Sequence, residues 1–117
     1  MQEIELPHIP PIKFAKYILN IVDNKARVLV EFDEIPSLAM LVEASAQSCG
    51  AFRDSQDFKG AFLVSVKNVK LLTKPTKTSY EVKVVNEHNL ENMRYMKFEV
   101  FDDNVLVAKG TLIIAMN

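Results

Sequence analysis

Apolar residues along this chain follow two spacings, which predict one helix among several strands. Residues 35–53 read IPSLAMLVEASAQSCGAFR, with apolar residues on nearly every side when they are placed on a helix of 3.6 residues per turn. Ser37 is the expected N-cap of this helix. A helix that is apolar all round must be covered all round, so the rest of the chain is predicted to surround it.

Alternating apolar and polar residues predict strands on both sides of the helix. Because short turns join antiparallel neighbours, the pattern indicates an α+β fold in which one antiparallel sheet curls around the helix. Any side of the helix that the sheet leaves open would need a second subunit. The predicted strands are 14–22, 26–32, 61–72, 79–85, 94–101 and 105–116, with turns at 23–25, 86–89 and 102–104 and a bulge or bend at Gly110.

Composition and charge narrow the class of protein. The 117 residues predict a single domain, 1–117, and the net charge of -1 gives no reason to expect nucleic acid or an anionic membrane as partner. No apolar run approaches the roughly 20 residues that span a bilayer, and Glu3 and Glu5 occupy the place of a basic signal region. Cys49 is the only cysteine and is expected to pack in the core. We therefore expect a cytoplasmic protein with no cofactor and no metal site.

Two long polar side chains lie in the middle of the apolar helix. Glu43 and Gln47 lie one turn apart on the same side. Burying a carboxylate unpaired costs several kcal/mol, so Glu43 is predicted either to take part in function or to be hydrogen-bonded across a dimer interface. Gln47 is predicted to orient Glu43 or to contact substrate. The start of the helix is a second candidate, since its N–H groups can polarise a substrate carbonyl; the residues there are Leu38, Ala39 and Met40.

Three segments in order resemble a known family. They are Leu6-Pro7-His8, VEASAQS at 42–48 and FLVSVKNVKLLTKP at 62–75. Together they resemble the hotdog-fold 3-hydroxyacyl-acyl-carrier-protein dehydratases over almost the whole chain. The resemblance implies a hotdog fold and a dimer with active sites at its interface. It also implies an apolar tunnel for an acyl chain held as a thioester on acyl carrier protein or coenzyme A. Glu43 falls on the family's acidic position and Gln47 on its glutamine.

The chain departs from that family at the catalytic histidine. The family carries this histidine in an H-F-P-x-x-P segment ahead of the helix, where residues 30–40 here read VEFDEIPSLAM. His8 belongs to the opening motif, and His88 lies in a predicted solvated turn. The chain is similar in this respect to the dehydratase-like proteins of aryl-polyene pathways. His8 remains a candidate catalytic acid, with anchoring of the N-terminal arm as the alternative.

Three functions remain open at this point. The chain is expected to be a dehydratase-like protein acting on carrier-protein thioesters in fatty-acid or polyene-type synthesis. The alternatives are a thioester hydrolase in which Glu43 activates water, and a non-catalytic acyl-thioester-binding or partner subunit. The expected assembly is a homodimer or higher oligomer, or a heteromer whose partner restores the histidine. Four lysines near the third strand could receive an acidic carrier protein or guard a solvated edge: Lys67, Lys70, Lys74 and Lys77.

Overall fold

The computed structural model describes residues 2–3, 13–52 and 62–115. One helix, α1, follows three strands and precedes four more. Helix α1 spans Leu38–Ser48 and continues into a short 3-10 helix, Cys49–Phe52. The strands are β1 (Gln2–Glu3), β2 (Ala15–Val22), β3 (Lys25–Glu31), β4 (Phe62–Leu71), β5 (Ser79–Leu90), β6 (Met93–Asp102) and β7 (Val105–Ala115).

The strands form one antiparallel sheet in the order β1-β2-β3-β5-β6-β7-β4. Tight turns join β2 to β3, β5 to β6 and β6 to β7, so each of these pairs is a hairpin. Strand β4, which follows the helix, lies at the edge beside β7. Helix α1 contacts β2, β3, β5, β6 and β7 from one side, which we call the inner face of the sheet. The predicted α+β fold, an antiparallel sheet around one helix, is confirmed.

The core lies between the helix and the inner face. Strand alternation places Val82, Val84 and Phe98 on this face, each at most 1% exposed, and they pack with Leu41 of α1 in one cluster. Each such side chain contributes about 1.5–3 kcal/mol by leaving water. The intervening Lys83 and Glu99 lie on the opposite, outer face of the sheet.

The start of α1 was predicted correctly. The Ser37 Oγ accepts a hydrogen bond from the Met40 N–H at 3.2 Å and so caps the helix. After Ser48 the helix tightens into the 3-10 helix Cys49–Phe52. The predicted end at Arg53 and the opening motif with His8 lie outside the described residues.

Two local predictions are wrong. Residues 86–89 do not form a turn, because β5 continues to Leu90 and turns at residues 91–92, where Glu91 has a φ of 55°. The polar residues lie at a register shift between Asn86 and His88, where β5 stays paired with β6. Gly110 itself pairs regularly with Phe98 in β6. The bulge predicted there lies on the neighbouring strand β4, between Lys67 and Lys70.

In the part of the chain that the structure describes, no helix is long and apolar enough to cross a membrane.

Candidate functional site

Helix α1 has a covered side and a partly open side. Its buried residues are Leu41, Ala44, Ser45, Gln47 and Ser48. The opposite side, which we call the open helix face, consists of Ala39, Val42, Glu43 and Ala46; Ala39 is exposed and the other three are half-buried. The sheet of the same chain therefore does not cover the helix completely, and Glu43 belongs to the side that it leaves partly open.

Gln47 links the helix to the beginning of β2. Its Oε1 accepts hydrogen bonds from the Phe14 N–H at 2.7 Å and the Ala15 N–H at 3.1 Å. Because both backbone groups are donors, only the amide oxygen can face them, and the orientation of the side chain is settled by this pair. Gln47 is 3% exposed. It is a buried connector between α1 and the strand that follows the N-terminal arm.

The same amide positions the carboxylate of Glu43. The Gln47 Nε2 donates to the Glu43 Oε1 at 3.3 Å, one helical turn away. With its oxygen held by two backbone donors, Gln47 cannot turn without losing both bonds, so the amide nitrogen stays directed at Glu43. The structure thus brings together two of the predicted site residues. The contact between them is the one expected if Gln47 orients Glu43.

The helix N-terminus keeps two of the three predicted donors. The Met40 N–H is used by the Ser37 cap, which removes it as a donor to substrate. Among the described residues, the N–H groups of Leu38 and Ala39 have no hydrogen-bond acceptor. Ala39 is exposed and Leu38 is half-buried. A carbonyl oxygen placed at the start of α1 would meet these two groups and the positive end of the helix dipole.

Neither the described histidine nor the cysteine provides a second reactive group for Glu43. His88 is exposed near the end of β5, where its ring stacks on Tyr95 with centroids 4.2 Å apart, and it makes no hydrogen bond with Glu43. Burial raises the pKa of the Cys49 thiol to about 12, so the thiol stays protonated near neutral pH and is a poor nucleophile. Within the described ranges, no three His, Cys, Asp or Glu side chains are grouped to hold a metal ion.

Sequence reasoning missed the backbone groups of Phe14 and Ala15 as part of this network. They lie 33 and 32 residues before Gln47, and a backbone N–H leaves no mark in the sequence. The one usable signal was that a buried glutamine must find partners for its amide.

Comparison with known proteins gives matches of fold rather than of sequence. No protein-family profile and no curated protein matches this chain. Among solved structures, the dehydratase heterocomplex ApeI:P from Xenorhabdus doucetiae is similar with a TM-score of 0.79 at 14% identity, over 96% of this chain and 88% of that chain. The chain has the hotdog fold.

Two other hotdog neighbours cover most of the chain. The HP0420 homologue from Helicobacter felis has a TM-score of 0.72 at 14% identity, over 95% of this chain and 82% of its own. A hypothetical thioesterase with coenzyme A from Streptococcus pneumoniae has a TM-score of 0.69 at 12% identity, over 86% of this chain and 84% of its own. The hotdog fold that the sequence resemblance implied is therefore confirmed.

Proposed function

We propose that this chain binds acyl thioesters at the open helix face and acts on them through Glu43. The observation that carries the proposal is the position of Glu43, which Gln47 holds at the border between the core and the partly open side of α1. A carboxylate oriented by a buried amide is suited to proton transfer, because its geometry is fixed before the substrate arrives. Similarity to a dehydratase heterocomplex and to a hypothetical thioesterase with coenzyme A supports thioester chemistry.

The reaction we favour is dehydration of a 3-hydroxyacyl thioester. Glu43 takes a proton from C2, the electron pair forms the C2–C3 double bond, and the hydroxyl leaves C3 as water after receiving a proton from an acid. The N–H groups of Leu38 and Ala39 would polarise the thioester carbonyl and so stabilise the charge that develops on its oxygen. The substrate would be carried on acyl carrier protein or on coenzyme A.

The acid in this reaction is assigned to a second subunit or to His8. The described part of the chain holds one histidine, His88, and its ring stacks on Tyr95 instead of contacting Glu43. A second copy of the chain, or a different hotdog chain, would cover the open helix face and bring further side chains to Glu43. The similar Xenorhabdus doucetiae structure is itself a heterocomplex, which supports the heteromeric version.

Hydrolysis of the thioester is the second candidate. A carboxylate alone can activate water to attack a thioester carbonyl, with release of the free thiol and the carboxylic acid, so this reaction does not need the missing histidine. The similarity to the hypothetical thioesterase supports it. Binding of thioesters without turnover, as the partner of a complete enzyme, is the third version of the same site.

One set of assays separates these versions. The purified protein is given 3-hydroxyacyl thioesters of acyl carrier protein and of coenzyme A, and both the enoyl product and free thiol are measured. We expect enoyl product without thiol, and a loss of at least about 100-fold in Glu43→Gln because general base catalysis contributes about that much. The matched control is Glu31→Gln, since Glu31 is an exposed carboxylate on β3.

Each outcome has a distinct meaning. Thiol without enoyl product would identify a hydrolase, and loss of dehydration in His8→Ala would assign the acid to the arm. Saturable binding without either product would identify a partner subunit. Failure to bind both thioesters would overturn the proposal as a whole.

A further inference from the structure

The outer face of the sheet carries a depression that the thioester site does not use. It has a volume of about 400 Å³ and lies across β4, β6 and β7, on the side of the sheet opposite to α1. We call it the basic depression. The residues that carry the argument are Asn68, Lys70, Lys97, Glu99, Lys109 and Thr111. We propose that the basic depression binds a diphosphate group.

A β-bulge shapes the depression. Lys67 pairs with Thr111 and Lys70 pairs with Lys109, so two residues of β4 oppose the single Gly110 of β7. Asn68 takes up the extra length with a φ of 56°, a left-handed conformation that asparagine tolerates better than most residues. The bulge bends the edge strand beside the depression.

Two lysines face each other across this space. Lys70 and Lys109 are direct partners on neighbouring antiparallel strands, and like charges at such positions repel. Neither forms an ion pair with any residue that the structure describes. A sheet that holds these two ammonium groups in register gains when an anion binds between them.

The remaining lining residues add to the positive charge. Lys97 makes one long ion pair, with its Nζ 3.8 Å from the Glu87 Oε2. Among the described residues that line the depression, Glu99 is the only acidic one, and in the register of the sheet it lies between Lys83 and Lys109. In the described lining, three lysines therefore outnumber one glutamate.

The donor groups around the depression favour an anion with neighbouring phosphate groups. Ammonium groups bind phosphate oxygens by short charge-assisted hydrogen bonds, and the Thr111 hydroxyl and Asn68 amide can add neutral donors. A volume of about 400 Å³ suits a small molecule better than the flat surface of an acidic protein. Because the sheet separates the depression from Glu43, this inference does not depend on the proposed function.

The test is a titration followed by the amide resonances of the protein in solution. Inorganic diphosphate and ADP are the two probes, and sulfate at the same ionic strength controls for general salt effects. We expect saturable shifts at Asn68, Lys109 and Thr111. Stronger binding of ADP would point to a nucleotide as the natural ligand, and equal binding would point to recognition of the diphosphate group alone.

Substitution of single lysines tests whether the diphosphate binds in the basic depression. Lys70→Gln and Lys109→Gln should each weaken binding about tenfold, as expected for the loss of one hydrogen bond to a charged group. Lys25→Gln is the matched control, because Lys25 is an exposed lysine at the start of β3, outside the depression, and it should bind normally. All three variants are expected to fold, since these side chains are exposed.

Three results would overturn the inference. The first is the absence of a saturable shift with either phosphate compound. The second is an equal loss of affinity in Lys25→Gln, which would mean diffuse attraction. The third is a response of these amides to acyl carrier protein but not to diphosphate, which would make the surface a protein docking site.

Discussion

Gly110 shows how a single residue position is fixed by the packing around it. A Cβ at this position would lie 2.7 Å from Cε2 of the Phe98 ring and 3.0 Å from Cγ2 of Val69. The Phe98 ring is 1% exposed, so it has no space into which to retreat. The glycine is therefore required by the close approach of a ring on the paired strand, while the backbone irregularity lies at Asn68.

We expect Gly110→Ala to lower the free energy of unfolding by about 1–3 kcal/mol, the usual cost of forcing an extra methyl group into a packed core. Urea unfolding followed by circular dichroism measures the change. Thr111→Ala is the control, because its side chain points to the other face of the same strand. In a Phe98→Leu background the same glycine substitution should cost less, and an unchanged cost would show that the ring is not the obstacle.

At the scale of elements, α1 and β2 are held together by a polar contact inside an apolar interface. Gln47 of α1 accepts from the backbone of Phe14 and Ala15 at the start of β2. The apolar periodicity and the Ser37 cap were sufficient to predict the helix, since both are local. The partners of Gln47 were not predictable, because contact between residues more than 30 positions apart depends on the completed sheet. The wrong turn at 86–89 has a related cause, since pairing with β6 overrides the local preference of polar residues.

Replacing Gln47 by leucine should destabilise the protein by about 2–4 kcal/mol, because two backbone N–H groups lose their acceptor in a buried place. Hydrogen exchange should become faster at Phe14 and Ala15 before it changes elsewhere in β2. Ser48→Ala is the matched control: Ser48 is the next residue and equally buried, but its hydroxyl only donates to the Ala44 carbonyl one turn back. Unchanged exchange at the two amides in Gln47→Leu would refute this role.

At the scale of the whole molecule, apolar surface remains exposed at the edge strand and on the helix. Strand β4 exposes Leu63, Val64 and Val66, between 39% and 49% of each residue, and α1 keeps its open helix face. Periodicity predicted that Glu43 and Gln47 share one side of the helix. It did not predict that Gln47 is buried and Glu43 only half-buried, because that depends on how far the sheet extends around the helix. Apolar surfaces of this kind are commonly covered by a second subunit.

One version of the proposed site places a second copy of the chain over the open helix face, and Ala46 tests this version. Ala46 is half-buried beside Glu43 and Val42, so an arginine there would place a long charged side chain in the proposed contact. We expect Ala46→Arg to sediment as a single chain while the original protein sediments as an oligomer, and thioester turnover should fall with the loss of the oligomer. Asn20→Arg, an exposed change on β2, should leave both properties unaltered. If Ala46→Arg remains an oligomer of the same size, the helix face is not the contact between copies of this chain, and the group that completes the reaction at Glu43 must come from this chain itself or from a different subunit.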